Sequence, residues 1–451
     1  VEVVRSLRAR EVDMAVSSVD VAVIGGGPAG TTTAGLLALQ GAKVRLFERD
    51  RFPRFHIGES LIPETYWVFR RLGMLEKMKA SCFVKKFSVQ FVNSEGKESA
   101  PFYFEDNKPG EQSQTWQVIR SQFDVMMLDH ARELGVDVRQ PARVTDVLFE
   151  GKQAVGVTVQ NEDGSREEVR ARVVVDASGQ STMLQNRLKL RLWDPVLNKG
   201  AIWTYWRGAY RDAGRDEGAT IVIQTGNKKG WWWYIPQHDD TVSVGVVAPF
   251  DYLFKGRTGT HEEIYQEEAA ATPGLARRIS GATRLTGYFA TKDYSYRSRE
   301  VAGDGWVLVG DAFGFLDPLY SSGVLLALKS GELAADAIAE GLARNDVSAV
   351  QLGCWGDRFN KGVDRMRRLV CEYYDGFSFG SLIRRYPHLR NTVTDLLIGD
   401  LFDDRVDEVW PAIESLYPEG KKAIPAWTAG AAPDQAHHKV NELYLPDGTL
   451  R

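Results

Sequence analysis

Val21-Ala-Val-Ile-Gly-Gly-Gly-Pro-Ala-Gly30, an apolar helical run from Thr31 to Leu39, and Arg45-Leu-Phe-Glu48 together set the fold. A short β-rich run meets glycines at 25, 27 and 30, a helix follows, and a second strand stops at an acid. That order is a dinucleotide fingerprint. Gly25 permits the tight turn, Gly27 lets a pyrophosphate reach the backbone, and Gly30 allows close helix–strand contact. Pro28 and Ala29 open the helix, whose unpaired N–H groups and positive dipole end suit a phosphate. Glu48, with Arg49 behind it, is placed to accept from a ribose hydroxyl.

Composition sets the outer limits. With 451 residues, 43% hydrophobic and 26% charged, the chain can bury a substantial core in two or three regions. A net charge of -4 gives no bias toward nucleic acid, and the run Arg365-Met-Arg-Arg368 reads as a solvated helix face. Cys82, Cys354 and Cys371 are scattered, against a disulfide scaffold and against a structural zinc site, so no metal is expected. No apolar run is long enough to span a bilayer, and the first ten residues lack the apolar core of a signal peptide. The expected compartment is cytoplasm.

Residues 1–18 are expected to be an N-terminal extension. After Glu48 comes a loop, Arg49-Asp-Arg-Phe-Pro-Arg-Phe-His-Ile-Gly-Glu-Ser60, and then a helix to about Leu72. Gly58, Glu59 and Ser60 either face a cofactor or form a helix start capped by Ser60; the residues alone leave both readings open. In Phe83-Val-Lys-Lys-Phe-Ser-Val-Gln-Phe-Val92, alternation of Phe87, Val89 and Phe91 with Ser88 and Gln90 predicts one half-buried strand with Lys85 and Lys86 at its start. A lysine there is ordinarily a solvated surface residue. Val118-Ile-Arg120 leads into a helix to about Leu134, and a hairpin crosses Glu162-Asp-Gly-Ser165. Val173-Val-Val-Asp-Ala-Ser-Gly179 is a buried parallel strand ending on Asp176 and Gly179 at the ligand edge.

Residues 196–289 change texture to aromatic, alternating runs, which predicts an antiparallel sheet inserted into the first domain. Within it Gly230-Trp-Trp-Trp-Tyr-Ile-Pro236 gives one strand two bulky faces, read either as core packing or as a stacking platform. The first sheet resumes at Gly305-Trp-Val-Leu-Val-Gly-Asp311. A loop through Asp317, Pro318, Tyr320 and Ser321 follows, and a long helix runs from about Leu325 to Leu342. Asp311 is placed to bond a ribose or ribityl hydroxyl, and N–H groups around Ser322, Gly323 and Val324 point positive potential at a cofactor ring. The expected fold is α/β: a discontinuous Rossmann-like dinucleotide-binding domain (19–92, 116–195, 290–345), an antiparallel-sheet domain (93–115, 196–289), a helical region (346–418) and an extended tail (419–451).

Gly25 to Gly30 with Glu48, Asp176 to Gly179, and Gly310-Asp311 with Pro318 and Gly323 resemble, in chain order, the three cofactor motifs of the FAD-dependent monooxygenase superfamily, which implies that the Rossmann-like domain is an FAD-binding domain of the aromatic-hydroxylase or glutathione-reductase type. Over residues 19 to about 400 the chain resembles the flavin-dependent halogenases: Phe52-Pro-Arg-Phe-His-Ile-Gly-Glu-Ser60, the W-x-W-x-I-P pattern in Trp231 to Pro236, and Phe315-x-x-Pro318-x-x-Ser321-x-Gly323. The resemblance implies FAD held by Gly25, Gly27, Pro28, Ala29, Gly30, Glu48, Arg49, Gly58, Glu59, Ser60, Arg120, Asp176, Gly179, Asp311, Pro318, Gly323 and Val324. It also implies that reduced FAD and O2 convert chloride or bromide to hypohalous acid, and that a lysine passes the halogen to an aromatic substrate. Lys86 matches that lysine, with Lys85 in reserve; Ser322 and Gly323 would hold the halide, and Trp231, Trp233 and Pro236 would wall the substrate from the flavin. Tyr320 and Ser321 complete the implied catalytic set. With one dinucleotide fingerprint and no second, reduced flavin is expected from a separate NAD(P)H-dependent reductase.

Indole-type members of that family carry an acid where this chain has Tyr320, which points toward the phenol or pyrrole branch, with substrate free or tethered to a carrier protein. Asp317 is given no role. Alternative readings are a flavin reductase of geranylgeranyl-type chains, although the cysteine usual near its Gly-Glu-Ser position is missing here, an aromatic monooxygenase, and a catalytically silent FAD-binding protein.

Overall fold

The computed structural model describes residues 16–416 and 423–429. Its first sheet places the strands Trp306–Leu308, Arg166–Asp176, Val16–Ile24, Val44–Phe47 and Asp137–Arg139 side by side and parallel. Val21 to Val23 and Val173 to Val175 are wholly buried, as continuous apolar runs require when helices cover both faces. The helix Pro28–Leu39 packs against the long helix Gly323–Arg344, and an antiparallel meander through Ala142–Glu150 and Gln153–Asn161 extends the sheet. The first strand starts at Val16, and the rest of the expected N-terminal extension lies outside the described residues. The long helix begins at Gly323, two residues ahead of expectation.

Among the described residues the second sheet has ten strands, with Phe289–Ser298, Arg191–Arg207, Thr241–Pro249, Trp231–Pro236 and Thr220–Gln224 successive and antiparallel. Ser88–Val92 joins it parallel to Thr220–Gln224, and Phe102–Tyr103 adds the edge. The sheet therefore draws in strands from stretches that the sequence reading grouped with the first domain.

Two expectations need correction. Phe83–Val92 is two strands: Val84–Lys86 pairs with Thr115–Gln117, and Ser88–Val92 joins the large sheet. Its burial is also inverted, with Ser88 and Gln90 buried and Phe87, Val89 and Phe91 only half-buried; Gln90 donates to the Ser99 carbonyl, while Phe91 packs on Phe102 and Phe379. The Arg365 to Arg368 run is not a solvated face. In the helix Gly356–Tyr374, Arg365 is buried on Asp407 (2.8 Å) and the Leu401 carbonyl (2.8 Å), and Arg367 is buried against Asp194. Gly356–Tyr374 and shorter helices from 349 to 416 complete the described C-terminal region, and Thr428–Ala429 pairs with Leu192 and Trp193. The remainder of the expected tail lies outside the described residues. No described helix is long and apolar enough to cross a membrane.

Candidate active site

Register carries three motifs to one edge. Ile24 pairs with Asp176 and Asp176 with Leu308, so Gly25, Ala177 to Gly179, and Gly310-Asp311 emerge together at the carboxyl ends of the parallel strands. A Cβ on Gly25 (φ +106°) would lie 2.3 Å from the Ala177 carbonyl oxygen, and one on Gly30 2.0 Å from that of Gly25; neither position accepts a side chain. Above Gly27 the space is open up to the Arg54 guanidinium at 3.6 Å, and nothing lies within 4 Å of a Cβ on Gly179 or Gly323. An open backbone cradle at a helix N-terminus, with a guanidinium above it, fits the pyrophosphate of FAD.

Glu48 is buried and accepts from the Gly26 (2.7 Å) and Asp50 (2.8 Å) amides, while Arg49 turns outward toward Ser181. Arg120 clamps Asp124 through two bonds (2.8 and 2.9 Å) and reaches the Ile57 carbonyl; Arg54 shares Asp124 at 3.2 Å. Burial alone would push the Asp124 carboxyl up, but Arg120 holds it below the usual range, so two guanidiniums share this carboxylate beside the cradle. Asp176 accepts from the Ser178 (3.0 Å) and Leu184 (2.7 Å) amides, shaping the turn that presents Gly179. Burial raises Asp311 to about 6. Gly58 takes φ +103°, where a Cβ would meet Arg120 at 3.0 Å and Val324 at 4.0 Å. Arg54 and Asp124 were missed in the sequence, although Arg54 lies inside the quoted Phe-Pro-Arg-Phe motif.

Ser60 does not cap the following helix, Thr65–Leu72, which has no side-chain cap. Its hydroxyl instead accepts from Lys86 Nζ at 2.8 Å, and Leu61 supplies a carbonyl at 2.9 Å. Lys86 is 2% exposed and burial lowers it to about 7, whereas the reserve residue Lys85 projects into solvent. Glu59 is buried beside this pair, accepts from the Tyr205 hydroxyl at 2.8 Å, and is raised by burial.

The tryptophan strand has two bulky faces, as its sequence requires. Trp232 and Tyr234 enter a core with Tyr265, while Trp231 and Trp233 face the first domain. On that face a row of rings runs Phe55, Phe289, Trp203, Trp233, Trp231, with centroids 4.8 to 6.4 Å apart. Trp233 donates to Ser243 (3.1 Å) and Trp231 to the Tyr374 hydroxyl (2.8 Å), which in turn donates to Asp317 (2.9 Å). Pro236 closes the strand, buried. Asp317 is pushed up to about 6 by burial, partly offset by Lys199, and caps the turn at Pro318 by accepting from Leu319 (3.0 Å).

Tyr320 is buried against Tyr373 and Phe379, and its hydroxyl has no hydrogen-bond partner among the described residues. Ser321 adopts φ +57°, a left-handed kink uncommon for a residue with a side chain. The kink leads into Ser322, buried with its hydroxyl unpartnered, and into a 22-residue helix with no side-chain cap and no acid in its first turn. Its first N–H groups are therefore available to an anion. Phe91, Phe102, Phe377 and Phe379 form an aromatic cluster beside Tyr320, and Phe104 lies 5.7 Å from Lys86 Nζ.

Comparison with known proteins agrees with this geometry. Residues 18–343 match the FAD binding domain family. A Pseudomonas fluorescens chlorinase of 1H-pyrrole-2-carbonyl on a peptidyl-carrier protein is 33% identical, over 88% of this chain and 94% of the relative. The corresponding brominase of Pseudoalteromonas luteoviolacea is 34% identical, over 86% and 93%. Among solved structures, the flavin-dependent brominase Bmp2 superposes with a TM-score of 0.80 at 33% identity, covering 89% of this chain and 99% of that one. The FAD-dependent halogenase CndH gives 0.74 at 31%, covering 88% and 93%.

Proposed function

This chain belongs to the flavin-dependent halogenases, oxidoreductases built on an FAD-binding domain, and on that premise we propose that it halogenates an electron-rich, phenol- or pyrrole-like ring through Lys86. Bound reduced FAD, with O2, supplies the oxidant that turns chloride or bromide into hypohalous acid. The halide sits on the Ser322 and Gly323 amides at the helix start, where positive potential is greatest. Lys86 then takes the halogen: its neutral amine and hypohalous acid give an N-halo amine and water, and the aromatic ring displaces the halogen from nitrogen, loses a proton and restores the amine. Trp231 and Trp233 separate substrate from cofactor, and Tyr320 offers its unpaired hydroxyl to the substrate.

The single observation that carries this reading is a fully buried lysine with two neutral oxygen acceptors, lowered to about 7 by burial. An amine that is half deprotonated near neutrality is a nucleophile. The named relatives that act on a carrier-bound pyrrole support an aromatic ring as substrate; delivery free or tethered, and reduced flavin from a separate reductase, are part of the proposal.

The test is incubation of the FAD-loaded protein with a flavin reductase, NAD(P)H, O2, bromide and a panel of phenols, indoles and pyrroles, free and carrier-bound. Brominated phenol or pyrrole is expected. No halogenated product anywhere in the panel overturns the reading, and reduction of a geranylgeranyl chain would replace it. A bromide-soaked crystal should show anomalous density at Ser322, and density confined to surface cations would refute that halide site.

A further inference from the structure

Lys86 Nζ is anchored to Ser60 Oγ (2.8 Å) and the Leu61 carbonyl (2.9 Å), but Ser60 is itself held from behind. Ser60 Oγ lies 2.8 Å from Thr220 Oγ1, and Gln117 Nε2 donates both to Thr220 Oγ1 and to the Gly218 carbonyl, each at 2.9 Å. Four residues from four separate parts of the chain thus form one line of hydrogen bonds: the Gly-Glu-Ser loop, the strand Val84–Lys86, its partner Thr115–Gln117, and the strand Thr220–Gln224 of the second sheet. All are buried, Lys86 at 2% and Gln117 at 0%. The proposed chemistry assigns no part to Thr220 or Gln117.

A tetrahedral nitrogen bonded to Cε and anchored along two further directions has one direction left. We propose that Thr220 and Gln117 are positioning residues for halogen transfer: acting through Ser60, they fix Lys86 so that its one unanchored direction is the one offered to halogen and ring. This rests on the reading of Lys86 given above. We take Ser60 as the donor in its bond to Thr220, in which either hydroxyl can give the proton; Ser60 then turns a lone pair toward Nζ, and Lys86 spends an N–H on Ser60 and keeps the amine lone pair unblocked. Remove the Thr220 hydroxyl and the Ser60 proton loses that acceptor and is free to turn to Nζ, which caps the lone pair.

The charged and titratable neighbours do not compete for this role. Around Lys86 the packed elements bring the Ser60, Thr220 and Thr115 hydroxyls, the Gln117 amide and the Phe104 ring, while Lys85 points outward. Glu59 bonds to Tyr205 and is raised by burial. Displacement of Ser60 is therefore read directly by the amine.

The test uses the FAD-loaded protein and its Thr220→Val, Thr220→Ser, Gln117→Met and Lys86→Ala variants, with bromide and a phenol. Brominated product per reduced FAD oxidised is followed across pH, and FAD affinity is measured by fluorescence. In Thr220→Val, yield is expected to fall about tenfold, the size of one hydrogen bond. The acid limb of the rate should move to lower pH, because a proton donated to Nζ favours the neutral amine; FAD affinity should stay put and Thr220→Ser should restore both yield and limb. Gln117→Met should move in the same direction by a smaller amount, and it carries the test if Thr220→Val does not fold. A merely structural role would admit water and move the limb up, toward that of a solvated lysine, while FAD affinity weakens; that result, or a parental yield and limb, overturns the proposal. Lys86→Ala separates the two levels: product retained there overturns Lys86 as carrier, whereas product lost there with Thr220→Val unchanged overturns the positioning role alone.

Discussion

Replacing Lys86 by Met should abolish halogenation yet stabilise the fold at low pH, and the second half of that statement can be worked from the structure. Burial takes the amine from 10.5 to about 7, so between those values the unfolded chain binds a proton that the native chain does not. Stability of the parent therefore rises with pH through that window, and below it the parent carries a deficit of about 5 kcal/mol from burying a charge. Met occupies a similar volume without the charge, but it strands Ser60 Oγ and the Leu61 carbonyl, at a cost of roughly 3 kcal/mol together. The variant should thus be more stable than the parent by about 2 kcal/mol at pH 6. Its advantage should shrink by about 3 kcal/mol on going to pH 9.5 and reverse sign. The assay is urea denaturation of both proteins at matched saturating FAD, so that the ligand contribution cancels. A stability difference that stays flat with pH would refute the claim that the buried amine titrates near neutrality.

Two further predictions concern residues that hold the cofactor edge and the helical region in place. Arg54→Ala should weaken FAD binding about tenfold or more, the size of a charged hydrogen bond, because the guanidinium over Gly27 is removed; fluorescence titration with unchanged affinity would remove Arg54 from the cradle. Arg367→Ala should cost about 3–5 kcal/mol by leaving Asp194 buried and unpaired, seen as a lower denaturation midpoint, whereas a surface arginine would cost almost nothing.

The cofactor half of the fold was legible because its signals are local. Gly25 and Asp176 mark strand ends, Gly30 lies in the first turn of the helix that follows the first strand, and Asp311 lies in the turn just past Trp306–Leu308; each can be read without knowing its neighbours, and parallel register then brings them together. Lys86 was legible only through the family resemblance: nothing in its own stretch distinguishes it from Lys85, and its burial depends on pairing with Thr115–Gln117. The strand Ser88–Val92 misled a period-two reading because both of its faces are covered, so its polar residues could be the deeper ones. The arginine run misled for a related reason, since its carboxylates are Asp404 and Asp407 about 40 positions on and Asp194 far upstream. Thr220 and Gln117 carried no signal at all; Thr220 meets Ser60 across 160 residues and Gln117 across 103.

The most direct test of Lys86 as halogen carrier is a single turnover in which reduced FAD, bromide and excess phenol are mixed with oxygenated buffer and followed by absorbance and product analysis. Lys86→Ala should oxidise its bound reduced FAD at the parental rate and yield no brominated phenol in the site. Brominated phenol from Lys86→Ala at the parental yield and regiochemistry would contradict the account.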